Sequence, residues 1–173
     1  VHPRQGKTGG AYCSGGIGIP TQILLNFSGN LDSVSTMAHE MGHAIHTELS
    51  KKQNALYEDY TISIAEVAST FFENVLFDHL LEKVSESERR VMLLEKTQDE
   101  VNIVYSQIAY FNFEKELHVA IKEKGSLSAA EMAAMFLKCR KSYFGPAFDY
   151  AEEDGYAYVY ISHFRSFFYV YAY

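Results

Sequence analysis

The sequence has only two cysteines, Cys13 and Cys139, and that scarcity is informative. Two thiols cannot build a disulfide framework, so a reducing, cytoplasmic compartment is the default, with a single bridge as the alternative. No run of about 18 apolar residues occurs, so nothing reads as a membrane-spanning helix. The most apolar stretch, YAYVYISHFRSFFYVYAY at 156–173, is aromatic rather than aliphatic and is interrupted by His163 and Arg165. Excess positive charge is missing too. Fifteen basic residues stand against 22 acidic ones, for a net charge of −7. That balance argues against a general binder of nucleic acid or anionic membrane, because either needs a positive field. Neither a methionine nor an apolar leader opens VHPRQGKTGG, and the C-terminus stops inside an apolar pattern. Both ends therefore read as points within a longer protein.

What is present describes a globular chain. The 173 residues are 47% hydrophobic and 21% charged, enough for one domain with a sizeable core. Glycines crowd residues 1–19 around the short apolar piece AYC, which reads as a loop and a strand or hairpin. TQILLNF at 21–27 is a second strand candidate, and Asp32 is the expected N-cap of a helix over about 33–51. A polar loop, KKQNALYEDY, leads to a second helix over about 61–82. Ser85 and Glu88 have capping-box spacing and open a helical stretch expected to run, with breaks, to Lys124. Ser128 and Glu131 repeat that spacing before a helix ending ahead of Gly145-Pro146. Residues 155–173 suit either helix or strand, because their Tyr/Val alternation has the strand period. The expected fold is mainly α, a helical bundle with a small antiparallel β element at the N-terminus, in a single domain over 1–173.

The chemistry concentrates in STMAHEMGHAIHTEL, residues 35–49, which holds His39, Glu40 and His43. Positions i and i+4 of a helix share a face, so His39 and His43 can offer two imidazoles to one metal ion. Glu40 lies about 100° further round and can reach a metal-bound water without ligating the metal. Two neutral nitrogen ligands and one carboxylate base suit zinc hydrolysis. A catalytic zinc needs a third protein ligand. His46 and Leu49 occupy the positions where a glycine and a third histidine would follow in a metzincin, so that solution fails. Glu66, set in the apolar run ISIAEVASTFFE, offers another, since a glutamate there is costly to bury unless paired or metal-bound. Glu73, two turns further on, is either an acceptor for a ligand imidazole or a solvated helix residue. His46 could rival the ligands, but its place a turn beyond His43 favours either support of a ligand from behind or packing. Small Gly42 leaves room for another element against the helix.

Three stretches resemble the oligoendopeptidase F branch of the thimet-oligopeptidase-like zinc metallopeptidases. GKTGGAYCSG resembles that family's glycine-rich strand before the active-site helix. MAHEMGHAIHTELS followed by AEVASTFFE resembles its zinc helix and glutamate helix, and ISHFRSFFYVYAY its late His-Phe and Tyr-x-Tyr segment. The resemblance implies a zincin-type metallopeptidase core: a zinc endopeptidase acting on short peptides, with one Zn2+ per chain. It carries over His39, His43 and Glu66 as zinc ligands and Glu40 as general base. It sets Gly9, Gly10, Ala11 and Tyr12 beside the substrate backbone, and makes His163, Tyr169 and Tyr171 donors to the oxyanion. It also implies that a large N-terminal helical lobe is missing from this sequence.

Ser162 stands where the family often has proline, and Arg165 where it often has tyrosine. Arg165 could itself be a donor, hold a substrate carboxylate or pair with an acid. Two rival readings stay open at this point: a non-catalytic zinc-binding piece, and a carboxypeptidase on a related helical zinc fold with Arg165 gripping the C-terminus.

Overall fold

The computed structural model describes residues 2 and 4–172, and of Ile62 only the backbone. It is mainly helical, with one small antiparallel sheet. Two compact units divide the chain, Val1–Met92 and Leu93–Tyr173.

In the first unit, β1 (Tyr12–Gly16) pairs with β2 (Ile19–Leu24) as a hairpin, with Tyr12 opposite Leu24 and Cys13 opposite Ile23. The turn uses Gly18 at φ +75°, a conformation that favours glycine. Helix α1 (Leu31–Ser50) follows. Its N-cap is Asn30 rather than the expected Asp32: the Asn30 side chain accepts from the Ser33 backbone N–H at 3.0 Å. Asp32 instead sits in the first turn, where its charge complements the helix dipole.

The second helix is shorter than the pattern predicts. A 3-10 turn, Ile62–Ile64, precedes α2 (Val67–Leu81), so Glu66 falls at the N-cap position rather than inside the helix. Helices α1 and α2 touch at Gly42. A Cβ there would lie 2.5 Å from the Ala68 carbonyl oxygen and 2.7 Å from Ser69 Cα. Glycine is what permits this approach. The hairpin is tied to α1 by the Thr21 hydroxyl, which donates to the Glu48 carboxylate, itself paired with Lys51 at 2.6 Å.

Helix α3 (Glu86–Lys124) is unbroken over 39 residues. The expected breaks do not occur, and no proline or glycine interrupts the stretch. It ends at Gly125, whose φ is +82°. In the second unit, α4 (Ala129–Phe144) starts with the predicted capping box of Ser128 and Glu131 and stops at Gly145. Phe113, Phe136 and Cys139 are its buried centre, packed by Tyr110, Leu117, Tyr158 and Phe164. Both cysteines are free thiols. Among the described residues the last segment is neither α-helix nor strand. It forms the 3-10 turns Glu152–Tyr160, Ser162–Arg165 and Tyr169–Ala172. Among the described residues no helix is long and apolar enough to cross a membrane.

Candidate metal centre

One turn of α1 sets the site. His39 and His43 project from the same face, their rings 4.8 Å apart and edge to face. Opposite them the start of α2 delivers Glu66, which is 2% exposed. Glu66 Oε2 lies 3.2 Å from His39 Nε2 and 3.3 Å from His43 Nε2, and the two Nε2 atoms are 3.2 Å apart. Three donors thus form a nearly equilateral triangle. Ligands of a tetrahedral zinc at about 2.0–2.1 Å would be spaced by about 3.3–3.4 Å. The donor set and its spacing fit such an ion.

Around the triangle, further side chains fix the donors. His39 Nδ1–H donates to the Glu73 carboxylate, so Nε2 is the ring nitrogen turned toward Glu66 and His43. Ser35 also donates to Glu73, at 3.4 Å. Ser69, fully buried, donates its hydroxyl to Glu66 Oε2 at 2.6 Å and to the Glu66 carbonyl at 2.9 Å. Burial pulls the His39 imidazole down, but the hydrogen bonds to Glu66 and Glu73 outweigh it and push its pKa up to about 10. The pocket therefore favours a positive charge beside its carboxylates.

Glu40 is set apart from the triangle. It is 6% exposed, and its Oε2 has no hydrogen-bond partner among the described residues. Burial pushes its carboxyl up, opposed by His39 and His43. A buried carboxylate oxygen without a partner is costly, which sets this residue off from a structural acid. It lines a cavity of about 430 Å³ together with Ala11, Asp32, Ser35, His39 and Glu73.

A profile of Peptidase family M3 matches residues 1–173. The chain belongs to this family. Relatives of this M3 chain include Group B oligopeptidase PepB of Streptococcus agalactiae, 31% identical over all of this chain and 29% of that protein. Oligopeptidase PepF of Bacillus subtilis is 31% identical over all of this chain and 26% of its own length. Chromosomal oligoendopeptidase F of Lactococcus lactis is 33% identical, again over all of this chain and 29% of that protein. A crystal structure of a candidate peptidase from Chlamydophila abortus superposes with a TM-score of 0.69 at 28% identity, covering 95% of this chain and 28% of that one. The M3 chain thus spans less than a third of the length of the curated relatives it matches.

The remaining sequence-predicted positions fall as follows. Gly9 and Gly10 form a bend before β1, with Gly10 at φ +84°; Ala11 reaches the cavity, and Tyr12 opens β1, largely exposed. Asn26 pins that bend by donating to the carbonyls of Thr8 and Gly10, at 2.9 and 2.7 Å. His46 is not in the donor triangle. It stacks on Tyr60 with ring centroids 4.1 Å apart. In the second unit the rings of His163 and Tyr169 lie 5.4 Å apart, and Tyr171 packs 5.9 Å from Phe111. Arg165 is exposed and forms no ion pair among the described residues. Ser69, Ser35 and Asn26 escaped the sequence reading. For Ser69 the only signal was its spacing, since a serine three residues after an acid can bond back to it.

Proposed function

We propose that this chain carries the zinc-binding core of an oligoendopeptidase that cleaves short peptides internally, in the cytoplasm. The observation that supports it best is the His39–His43–Glu66 triangle, together with a buried Glu40 that shares a cavity with His39 and whose Oε2 has no hydrogen-bond partner among the described residues. The names of the relatives, oligopeptidase and oligoendopeptidase, point to the same substrate class.

His39, His43 and Glu66 would hold the metal. Once bound, zinc would polarise the scissile carbonyl and acidify the attacking water. Glu40 takes the proton from that water at its free Oε2 and returns it to the leaving amine. With the metal bound, the Glu73 carboxylate would take the Nδ1 proton of His39 as its hydrogen-bond partner and leave Nε2 free to ligate, while Ser69 holds the Glu66 carboxylate in place. Gly9, Gly10, Ala11 and Tyr12 lie along the peptide, where the glycines let another backbone approach closely. His163, Tyr169 and Tyr171 donate to the oxyanion, each such donor being worth about 3–4 kcal/mol in the transition state.

Metal analysis and peptide digestion test this directly. The chain should hold about one zinc. Glu66→Ala should lose it, while Glu40→Gln should keep it and lose cleavage. A folded chain that binds no zinc overturns the reading. Zinc without cleavage leaves a metal-binding piece, and products trimmed only from the C-terminus mark a carboxypeptidase instead.

A further inference from the structure

Phe168 has φ +52°, the left-handed region that a bulky residue enters only when its surroundings impose it. Three residues of α3 do so. Glu114 is 4% exposed, and its Oε1 accepts the Phe168 backbone N–H at 2.8 Å. The Phe168 ring stacks on His118 at 5.3 Å and faces Phe111 at 5.7 Å. Positions 111, 114 and 118 follow one another at helical spacing, so a single stripe of α3 grips this turn. His118 Nε2 also lies 3.8 Å from Glu114 Oε1.

The consequence lies on either side of Phe168. Ser162–Arg165 carries His163 before the turn, and Tyr169–Ala172 carries Tyr169 and Tyr171 after it. The Phe168 carbonyl accepts from Tyr171 N–H at 3.1 Å, and Ser166 accepts from Tyr169 N–H at 3.2 Å. Across this left-handed residue the His163 and Tyr169 rings lie 5.4 Å apart. Besides the Phe168 N–H, the Glu114 carboxylate meets only the His118 imidazole among the described residues, and its second oxygen, also buried, has no hydrogen-bond partner there.

We propose that Glu114 is a positioning residue: by holding the Phe168 N–H it fixes the turn that lays Tyr169 against His163. Its catalytic weight rests on the reading of those two as oxyanion donors, while its structural part stands without it. The Phe168 N–H needs an acceptor at that point, not a charge. Glutamine therefore substitutes and an apolar side chain of similar volume does not.

The test joins NMR with kinetics on the zinc-loaded chain. In the unaltered protein the Phe168 amide should exchange slowly, and a ring-to-ring contact between His163 and Tyr169 should be visible. Glu114→Met should remove both while zinc content stays whole, and Glu114→Gln should keep both. Turnover of a peptide should fall about 100-fold in Glu114→Met, approaching the loss in Tyr169→Phe, with the double variant little worse than either. Fast exchange at Phe168 in the unaltered chain overturns the proposal without any variant, as does a ring contact that survives Glu114→Met. Unchanged turnover in Tyr169→Phe would instead remove the oxyanion reading and leave the ring contact to decide the role of Glu114.

Discussion

Gly42 on α1 faces the Ala68 carbonyl on α2 so closely that a Cβ at position 42 would stand 2.5 Å from that oxygen. Both neighbours are backbone, so nothing flexible can yield. Because Glu66 enters from the start of α2, this contact sets how near its carboxylate comes to His39 and His43. Gly42→Ala should push α2 away, cost about 1–3 kcal/mol of stability and weaken zinc binding by at least tenfold. Thermal melting and a competitive zinc titration check it; an alanine variant with unchanged zinc affinity would contradict the role given to this contact.

The Glu73 carboxylate accepts from His39 Nδ1, the nitrogen on the far side of the ring from the metal-facing Nε2. Removing it frees the imidazole to rotate or change tautomer. Glu73→Ala should lower zinc affinity by about 10–100-fold, and Glu73→Gln by less, because the amide oxygen still accepts. Zinc affinity measured against a chromogenic chelator gives the answer. Equal affinities in all three proteins would return Glu73 to a solvated helix residue.

Zinc should also hold the two helices together. A ligand that binds only the folded state at a thousandfold excess over Kd adds about 4 kcal/mol. For a chain of this size that is a rise on the order of 10 °C in melting temperature over the chelated form. Calorimetry with and without chelator measures the gap, which Glu66→Ala should close.

The start of α4 gives a prediction in pH. Glu131 accepts from the Ser128 backbone N–H at 2.8 Å and from its hydroxyl at 2.9 Å, and these bonds, with Lys124 nearby, hold its carboxyl below the ordinary glutamate value. A carboxyl depressed in the folded state stabilises above its unfolded value, and that contribution disappears as pH falls through the folded value. Glu131→Gln should therefore be less stable than the parent at neutral pH, with the difference shrinking below about pH 4. Parallel melts across the acid range would show this, and a gap independent of pH would refute it.

Neighbours along the chain dictate one part of this site. One helical turn aligns His39 with His43 and offsets Glu40, whatever else the fold does. The capping box at Ser128 and Glu131 and the stops at Gly125 and Gly145 are equally local. Glu66 stood out because an acid in an apolar run must find a partner. Only the tertiary structure decided which partner each group found. Glu73 could have been solvated until α2 was seen to bring it to His39, and Ser69 gained meaning only once Glu66 was in place. Asn30 takes the cap from Asp32 through the exact course of the chain entering α1. The aromatic C-terminal segment was ambiguous for a deeper reason. Its alternation suits a strand, its composition a buried surface, and neither period governs the result. Contacts from α3, 50 or more positions away in sequence, hold Phe168 left-handed between short 3-10 pieces. Local patterns carry the information for helices and caps, whereas a strained turn exists only because distant side chains impose it.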